Sequence, residues 1–177
     1  MKIVTKIIVA LTILFSTTTL TSAKDYGLEV LKMPVGTSAH YVDQSGRRFK
    51  WTYKGKFGNK YMIQVSGSER YERFYNADGF LVSQRNQGYT VKYKPHFCNR
   101  KLGKCKFRFD SEYSKYTGNW NGDLRKTNGG FQYDFSYASK NTDWDATLFY
   151  KFGKYNFFSE YTSGSDWWRL EKITVGK

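Results

Sequence analysis

The sequence predicts an all-β protein: a single small antiparallel β-barrel or β-sandwich of about nine or ten strands that follows a cleaved signal peptide. Three observations lead to this prediction. Apolar residues recur at every second position in several segments, Gly- and Asn-containing turns lie between those segments, and no window shows sustained helical spacing. Since alternate side chains of a strand point to opposite faces, each segment has one apolar and one polar face, which is typical of antiparallel strands with one wet face.

The N-terminus has the features of a secretory signal peptide, in the expected order. Lys2 and Lys6 give a positive start, residues 7–15 are an apolar run, and Thr21-Ser22-Ala23 supplies the small residues of a cleavage site. The run is too short for a membrane-spanning helix, which takes about 20 residues. We therefore predict a signal peptide over residues 1–23, one β-rich domain over residues 24–177, and a secreted or periplasmic location. An uncleaved N-terminal anchor is the alternative.

The alternating segments and the turns between them follow the chain in order. The segments lie at 48–54, 61–65, 89–94, 105–109, 131–137 and 144–152. Turns are predicted at 43–46, 58–59, 76–79, 121–123, 128–130, 153–154 and 163–165, where Gly, Asn, Asp or Ser residues cluster. Residues 26–32 are compatible with a strand or a short helix.

Aromatic residues make up 19% of the chain, with 15 Tyr and 14 Phe. Aromatic side chains suit half-buried pleated surfaces and pair across strands, so core filling explains them. A Tyr-lined ligand cavity is the alternative explanation.

The only two cysteines are Cys98 and Cys105. In an exported protein, two cysteines this close in sequence indicate a disulfide that closes a short loop. Two histidines, His40 and His96, with no zinc-ligand spacing predict no metal site, and nothing in the sequence implies a cofactor.

The excess positive charge lies in one part of the chain. Residues 47–108 contain sixteen basic residues and three acidic ones, whereas residues 109–177 contain nine of each. Many of these bases alternate with the apolar residues, so they fall on the outer faces of predicted strands. If those strands are neighbours, the bases form a plate that attracts anions. Lysines on exposed strands that only improve solubility and block edge pairing are the alternative.

We predict anion-binding residues within this basic stretch. The expected partners are anionic lipid, lipopolysaccharide or acidic polysaccharide, because these are common outside the cytoplasm, and nucleic acid is less favoured for the same reason. The predicted contacts are Arg48, Lys50, Lys92, Lys94, Arg100, Lys101, Lys104 and Lys106.

The sequence contains no nucleophile elbow, phosphate-binding loop or HExxH motif, so we predict no enzymatic activity. Asp143 and Asp145 flank Trp144, and on a strand they fall on one face. Such a pair suits glycoside chemistry, but paired carboxylates on a wet face are the more ordinary explanation. Glu69 and Glu72, interleaved with two arginines, indicate cross-strand charge pairing.

The predicted function is an exported, non-enzymatic binding domain that engages an anionic surface or polymer through its basic face. A small β-barrel that carries an apolar or aromatic small molecule is the alternative. An outer-membrane barrel is disfavoured because lipid-facing positions must be apolar, whereas the faces opposite the apolar residues are rich in Lys and Arg.

Overall fold

The computed structural model describes residues 27–94, 102–111, 118–128, 130–138, 143–151 and 154–177. The predicted signal peptide and its cleavage site lie outside these ranges. The described residues form twelve strands: β1 (Ser38–Asp43), β2 (Arg48–Phe57), β3 (Lys60–Gly67), β4 (Tyr71–Tyr75), β5 (Leu81–Asn86), β6 (Tyr89–Lys94), β7 (Gly103–Ser111), β8 (Gly118–Thr127), β9 (Gly130–Ala138), β10 (Asp143–Lys151), β11 (Glu160–Ser163) and β12 (Asp166–Thr174).

Each strand pairs antiparallel with its neighbours in the sequence. β1 also pairs with β12, so the order of pairing returns to its first strand, which is the order of a closed barrel. The all-β, antiparallel prediction is confirmed. Bulges interrupt the register in β1 at His40/Tyr41, in β2 at Tyr53/Gly55 and in β4 at Phe74/Tyr75.

The prediction of nine or ten strands was too low. All six alternating segments fall on strands, but β4, β8 and β12 carry charged, Asn or Gly residues where alternation would require apolar ones. The turn predicted at 121–123 was wrong, because these residues lie in the middle of β8. A glycine at position 122 leaves room for two neighbouring side chains, because a Cβ there would lie 2.5 Å from the Tyr133 hydroxyl and 2.9 Å from Cys105 Sγ.

The face of the sheet that carries the buried side chains is called the inner face here. Tyr41, Trp51, Ile63 and Tyr133 are at most 1% exposed. Tyr41 stacks on Phe49 and Phe158 at centroid distances of 5.4 and 5.0 Å. These alternating aromatic residues therefore fill a core, which is the explanation first given for the high aromatic content of the chain.

The segment before β1 is neither a strand nor a regular helix; its described residues, from Gly27 onward, form turns. The Leu28 N–H donates to the Gly79 carbonyl at 3.0 Å, and the Glu29 N–H donates to the Tyr155 carbonyl at 3.2 Å. Gly79 follows β4 and Tyr155 follows β10, and these strands lie on opposite sides of the ring. The segment therefore crosses one end of the barrel, and Leu28, Val30 and Met33 are buried there.

Among the described residues, no helix is long and apolar enough to cross a membrane.

Candidate anion-binding surface

The predicted bases of β2 alternate with its core residues. Arg48 and Lys50 are exposed, whereas Phe49 and Trp51, which alternate with them, are buried. The period-two pattern therefore places these two positive side chains on the outer face, as expected for a strand with one wet face.

Arg48 is held by a carboxylate on β12, the strand on the far side of β1. Its Nε and Nη2 donate to the two oxygens of Glu171 at 3.1–3.3 Å. The hydrogen bonds and charge of this pair raise the pKa of Arg48 and lower the pKa of Glu171. A bidentate pair of this kind neutralises most of the arginine's field, so Arg48 is a weaker candidate for anion contact than its position in sequence indicated.

A second group of predicted bases lies on β6 and β7. Lys92, Lys104 and Lys106 are exposed, and Cys105 between the last two is half-buried. Lys94 pairs by register with Arg108, which places the two strands side by side. The side chain of Lys94, and Arg100 and Lys101 altogether, lie outside the described residues.

The predicted bases do not form one continuous plate. The condition for a plate was that the strands be neighbours, and this holds for β6 and β7 only. β2 is separated from β6 by β3, β4 and β5, which corresponds to about 19 Å along the wall at the usual strand spacing of about 4.8 Å. We therefore distinguish the β6–β7 lysines (Lys92, Lys104 and Lys106) from the bases of β2.

Around β2 the structure brings together a row that sequence reasoning missed. His40 of β1 pairs with Lys50 of β2 and with Lys172 of β12, so three basic side chains lie side by side across three strands. Burial, Lys172 and Lys50, in that order, lower the pKa of His40, and the charge of Glu171 opposes them. We call Lys50, His40 and Lys172 the histidine row. Alternation could have shown the outward direction of each residue, but not their pairing.

Arginines and lysines behave differently on the outer face. Of the seven exposed arginines that the structure describes, all but Arg70 are in an ion pair with a carboxylate: Arg47, Arg48, Arg85, Arg108, Arg125 and Arg169. By contrast, Lys50, Lys92, Lys104, Lys106 and Lys172 form no ion pair within the part of the chain that the structure describes. The net positive charge of the outer face is therefore carried largely by lysines.

A groove of about 560 Å³ lies beside the β6–β7 lysines, over β7, β8 and β9. Lys104 and Lys106 line it together with Asp123 and Asp134. Both carboxylates pair with Arg125. The positive charges of Lys104 and Lys106 on the other side of the groove are therefore not neutralised by these carboxylates.

The remaining predicted sites are only partly covered by the structure. Cys105 is not a free cysteine, and Cys98 lies outside the described residues, so the disulfide between them stays a prediction. The backbone of Asp143 pairs with Ala138 and that of Asp145 with Ser136, and the side chains of both aspartates lie outside the described residues. No cluster of three or more His, Cys, Asp or Glu that could hold a metal occurs within the described ranges.

The charge pattern around β4 differs from the prediction. Glu72 does pair across strands, but its partner is Arg85 of β5, whose Nε donates to it at 2.7 Å. Arg73 points to the opposite face, because it pairs by register with the fully buried Ile63. Its Nε donates to Gln84 Oε1 at 3.1 Å, and its guanidinium carbon lies 4.4 Å from the centroid of Trp51.

Comparison of the chain with protein-family models, curated proteins and solved structures found no match.

Proposed function

We propose that the chain is an exported, non-enzymatic binding domain that engages an anionic surface or polymer through lysines on its outer face. The observation that supports this most directly is the division between arginines and lysines. Six of the seven exposed arginines that the structure describes are paired with carboxylates, Arg70 being the exception, whereas the β6–β7 lysines and those of the histidine row have no ion-pair partner among the described residues.

The chemistry of the two side chains explains why this division favours a polyanion. A guanidinium has a planar fork that fits one carboxylate, whereas an ammonium group is a compact, strongly hydrated point charge on a flexible stem. Lysines without a fixed partner can follow the irregular charges of a polymer or of lipid headgroups. Each contact that neutralises such a charge releases counterions, which makes the binding strongly dependent on salt.

The partner class follows from the proposed location. Outside the cytoplasm the common polyanions are anionic lipid, lipopolysaccharide and acidic polysaccharide, and a polybasic surface is attracted to all three. Nucleic acid is less favoured, because recognition of single strands requires exposed aromatic platforms beside the bases. The exposed or partly exposed aromatic side chains described on this outer face include Phe57 of β2 and Trp167 of β12, neither of which lies on the strands of the β6–β7 lysines.

The test is retention of the mature protein on heparin and on liposomes that contain anionic lipid, at low and at physiological salt. The double variant K104E/K106E should elute from heparin at clearly lower salt than the wild type. The matched control is K126E/K177E, which changes the net charge equally at two exposed lysines on other parts of the surface. If both variants lose binding equally, or if the wild type is not retained at about 50 mM salt, the lysines serve solubility only.

His40 provides a second readout that locates the partner. Protonation of His40 is opposed by Lys50 and Lys172, so an anion bound across the histidine row would raise the pKa of His40 toward its ordinary value or above. NMR titration of the imidazole with and without heparin measures this. An unchanged pKa of His40 under saturating heparin would remove the histidine row from the binding surface and leave the β6–β7 lysines.

The second candidate function is a carrier barrel for a small molecule. It is favoured by one observation: several tyrosines of the inner face, including Tyr71 and Tyr93, are half-buried and therefore still touch space that water can enter. Binding to the outer lysines falls with rising salt, whereas binding inside the barrel changes little, so salt dependence separates the two functions.

A further inference from the structure

The inner face of the barrel contains a positive charge for which the described residues provide no counterion. Arg73 lies on β4 between Ile63 of β3 and Gln84 of β5 in register. Ile63 is fully buried, so this row faces the inside of the ring. No carboxylate in the described part of the chain pairs with Arg73, although six outer arginines have one.

The contacts of Arg73 leave much of its hydrogen-bonding capacity free. A guanidinium has five N–H donors. One of them donates to Gln84 Oε1, and a further hydrogen bond joins Arg73 to the hydroxyl of Tyr75. Its faces are covered by aromatic rings, with centroids 4.4 Å away for Trp51 and 5.2 Å away for Tyr71. These are favourable cation–π contacts, but they do not neutralise the charge.

An inward-facing cation without a counterion is costly for a fold. Burying a charge without a partner carries a desolvation penalty that an apolar side chain of similar size would avoid. Arg73 is half-buried rather than buried, so water can reach its side chain. The charge is explained if an anion binds beside the guanidinium.

An independent observation at the same place also requires an acceptor. Trp51, which is only 1% exposed and lies under the guanidinium, has a buried Nε1 with no hydrogen-bond partner of normal geometry. Burial raises the pKa of the Tyr71 hydroxyl and a hydrogen-bond interaction with Trp51 opposes that rise, but the geometry of this interaction lies outside that of a normal hydrogen bond. Two donors on neighbouring residues, one charged and one neutral, therefore face the inside of the barrel with spare capacity.

The surrounding phenols remain protonated and can also donate. Burial raises the pKa of Tyr75 to about 12, and burial likewise raises the pKa of Tyr71 and of Tyr93, in each case against the opposing effect of Arg73. None of these hydroxyls ionises at neutral pH to neutralise the guanidinium. The hydroxyls of Tyr71 and Tyr75 can offer their protons to an oxyanion instead.

We propose that the inside of the barrel binds a small organic anion, a carboxylate on an apolar or aromatic body, at the Arg73 guanidinium with hydroxyl donors from Tyr71 and Tyr75. The fork of a guanidinium matches the two oxygens of a carboxylate, which favours this anion. The aromatic rings around it suit an apolar body, as in most small-molecule sites. This inference deepens the carrier function proposed above and does not depend on the outer lysines.

The experiment is calorimetric titration of the mature protein with benzoate up to about 10 mM, a range that detects the weak affinity of fragment-sized ligands. Benzyl alcohol, which has the same ring without the charge, is the ligand control. The variants are R73M, which removes the guanidinium, and R85M, which removes an outer arginine from the next strand. We expect saturable benzoate binding that is at least tenfold weaker in R73M and unchanged in R85M, with benzyl alcohol bound far more weakly than benzoate.

The melting temperature of R73M supplies the second measurement. If Arg73 is there for a ligand, R73M should fold and should melt at or above the wild-type temperature without benzoate, because an uncompensated charge is removed. R73K, which keeps the charge but loses the fork, should bind benzoate several-fold more weakly than the wild type. Absence of benzoate binding to the wild type, equal binding to R73M, or an R73M variant that does not fold would each overturn the proposal.

The benzoate experiment and the heparin experiment can fail independently of each other. R73M should still be retained on heparin, and K104E/K106E should still bind benzoate, since the two sites lie on opposite faces of the sheet.

Discussion

Gly122 of β8 is the position at which a single methyl group should disturb the core most directly. The backbone of Gly122 lies in a strand, opposite Cys105 of β7 and Phe135 of β9. In the variant G122A the new Cβ would lie 2.5 Å from the hydroxyl of Tyr133 and 2.9 Å from Cys105 Sγ. Tyr133 is fully buried and has little room to move.

Two opposing effects determine how much G122A changes the free energy of unfolding. Overpacking a filled core costs about 1–3 kcal/mol. Alanine is favoured over glycine in a strand interior by about 0.5–1 kcal/mol, which offsets part of that cost. We therefore expect G122A to lower the free energy of unfolding by about 1–2 kcal/mol, and each kcal/mol corresponds to a melting temperature lower by about 2–4 °C in a chain of this size.

The assay is urea unfolding of four proteins: the wild type, G122A, Y133F and the double variant. Y133F removes the nearest clashing atom, so G122A should cost less in the Y133F background than in the wild type. Rescue should be partial, because the Tyr133 ring carbon at 3.0 Å and Cys105 Sγ remain close to the new methyl group. If G122A is as stable as the wild type, or if Y133F gives no rescue, steric exclusion is not the reason for the glycine.

Three further predictions concern other parts of the molecule. Y41F removes the buried hydroxyl that donates to the Phe158 carbonyl at 3.2 Å and should lower the free energy of unfolding by about 1 kcal/mol in urea unfolding. The pKa of His40 is lowered in the folded state, so the unfolded chain takes up this proton first; stability should be full above about pH 6.5 and fall as the pH drops below it, and H40N should remove that part of the slope. Thiol titration of the native exported protein should find neither Cys98 nor Cys105 free, and reduction should lower the melting temperature without abolishing the fold; two reactive thiols would contradict the predicted bond.

The sequence was sufficient for the class of fold because burial leaves a period of two wherever one face of a strand is apolar. β2 shows this clearly, with Trp51 buried between two exposed or half-exposed neighbours. Alternation does not reveal a strand whose inner face carries polar or small residues. β8 presents Gly122 to the core, and β4 presents Arg73, so neither shows the pattern.

The basic residues of 47–108 show a second limit of prediction from the sequence. Local alternation correctly gave the outward direction of Lys50, Lys92, Lys104 and Lys106, since each neighbours a position on the inner face. It could not give their distances, because these depend on which strands pair. The structure separates Lys50 from the β6–β7 lysines by three strands and places it beside His40 and Lys172 instead.

The two proposed sites differ in what they cost the fold, and this difference makes them separable without knowledge of the natural ligand. An exposed lysine keeps its hydration, so replacing Lys104 or Lys106 should change the stability little, as for most surface substitutions. Arg73 has given up much of its hydration to face the inside of the barrel, where the described residues offer it aromatic rings and amide or hydroxyl groups but no carboxylate. A fold under no demand for binding would be more stable with an apolar side chain at that position. A gain in stability on removing Arg73, together with no change on removing the lysines, would therefore identify the inner arginine as the residue retained for function at the expense of stability.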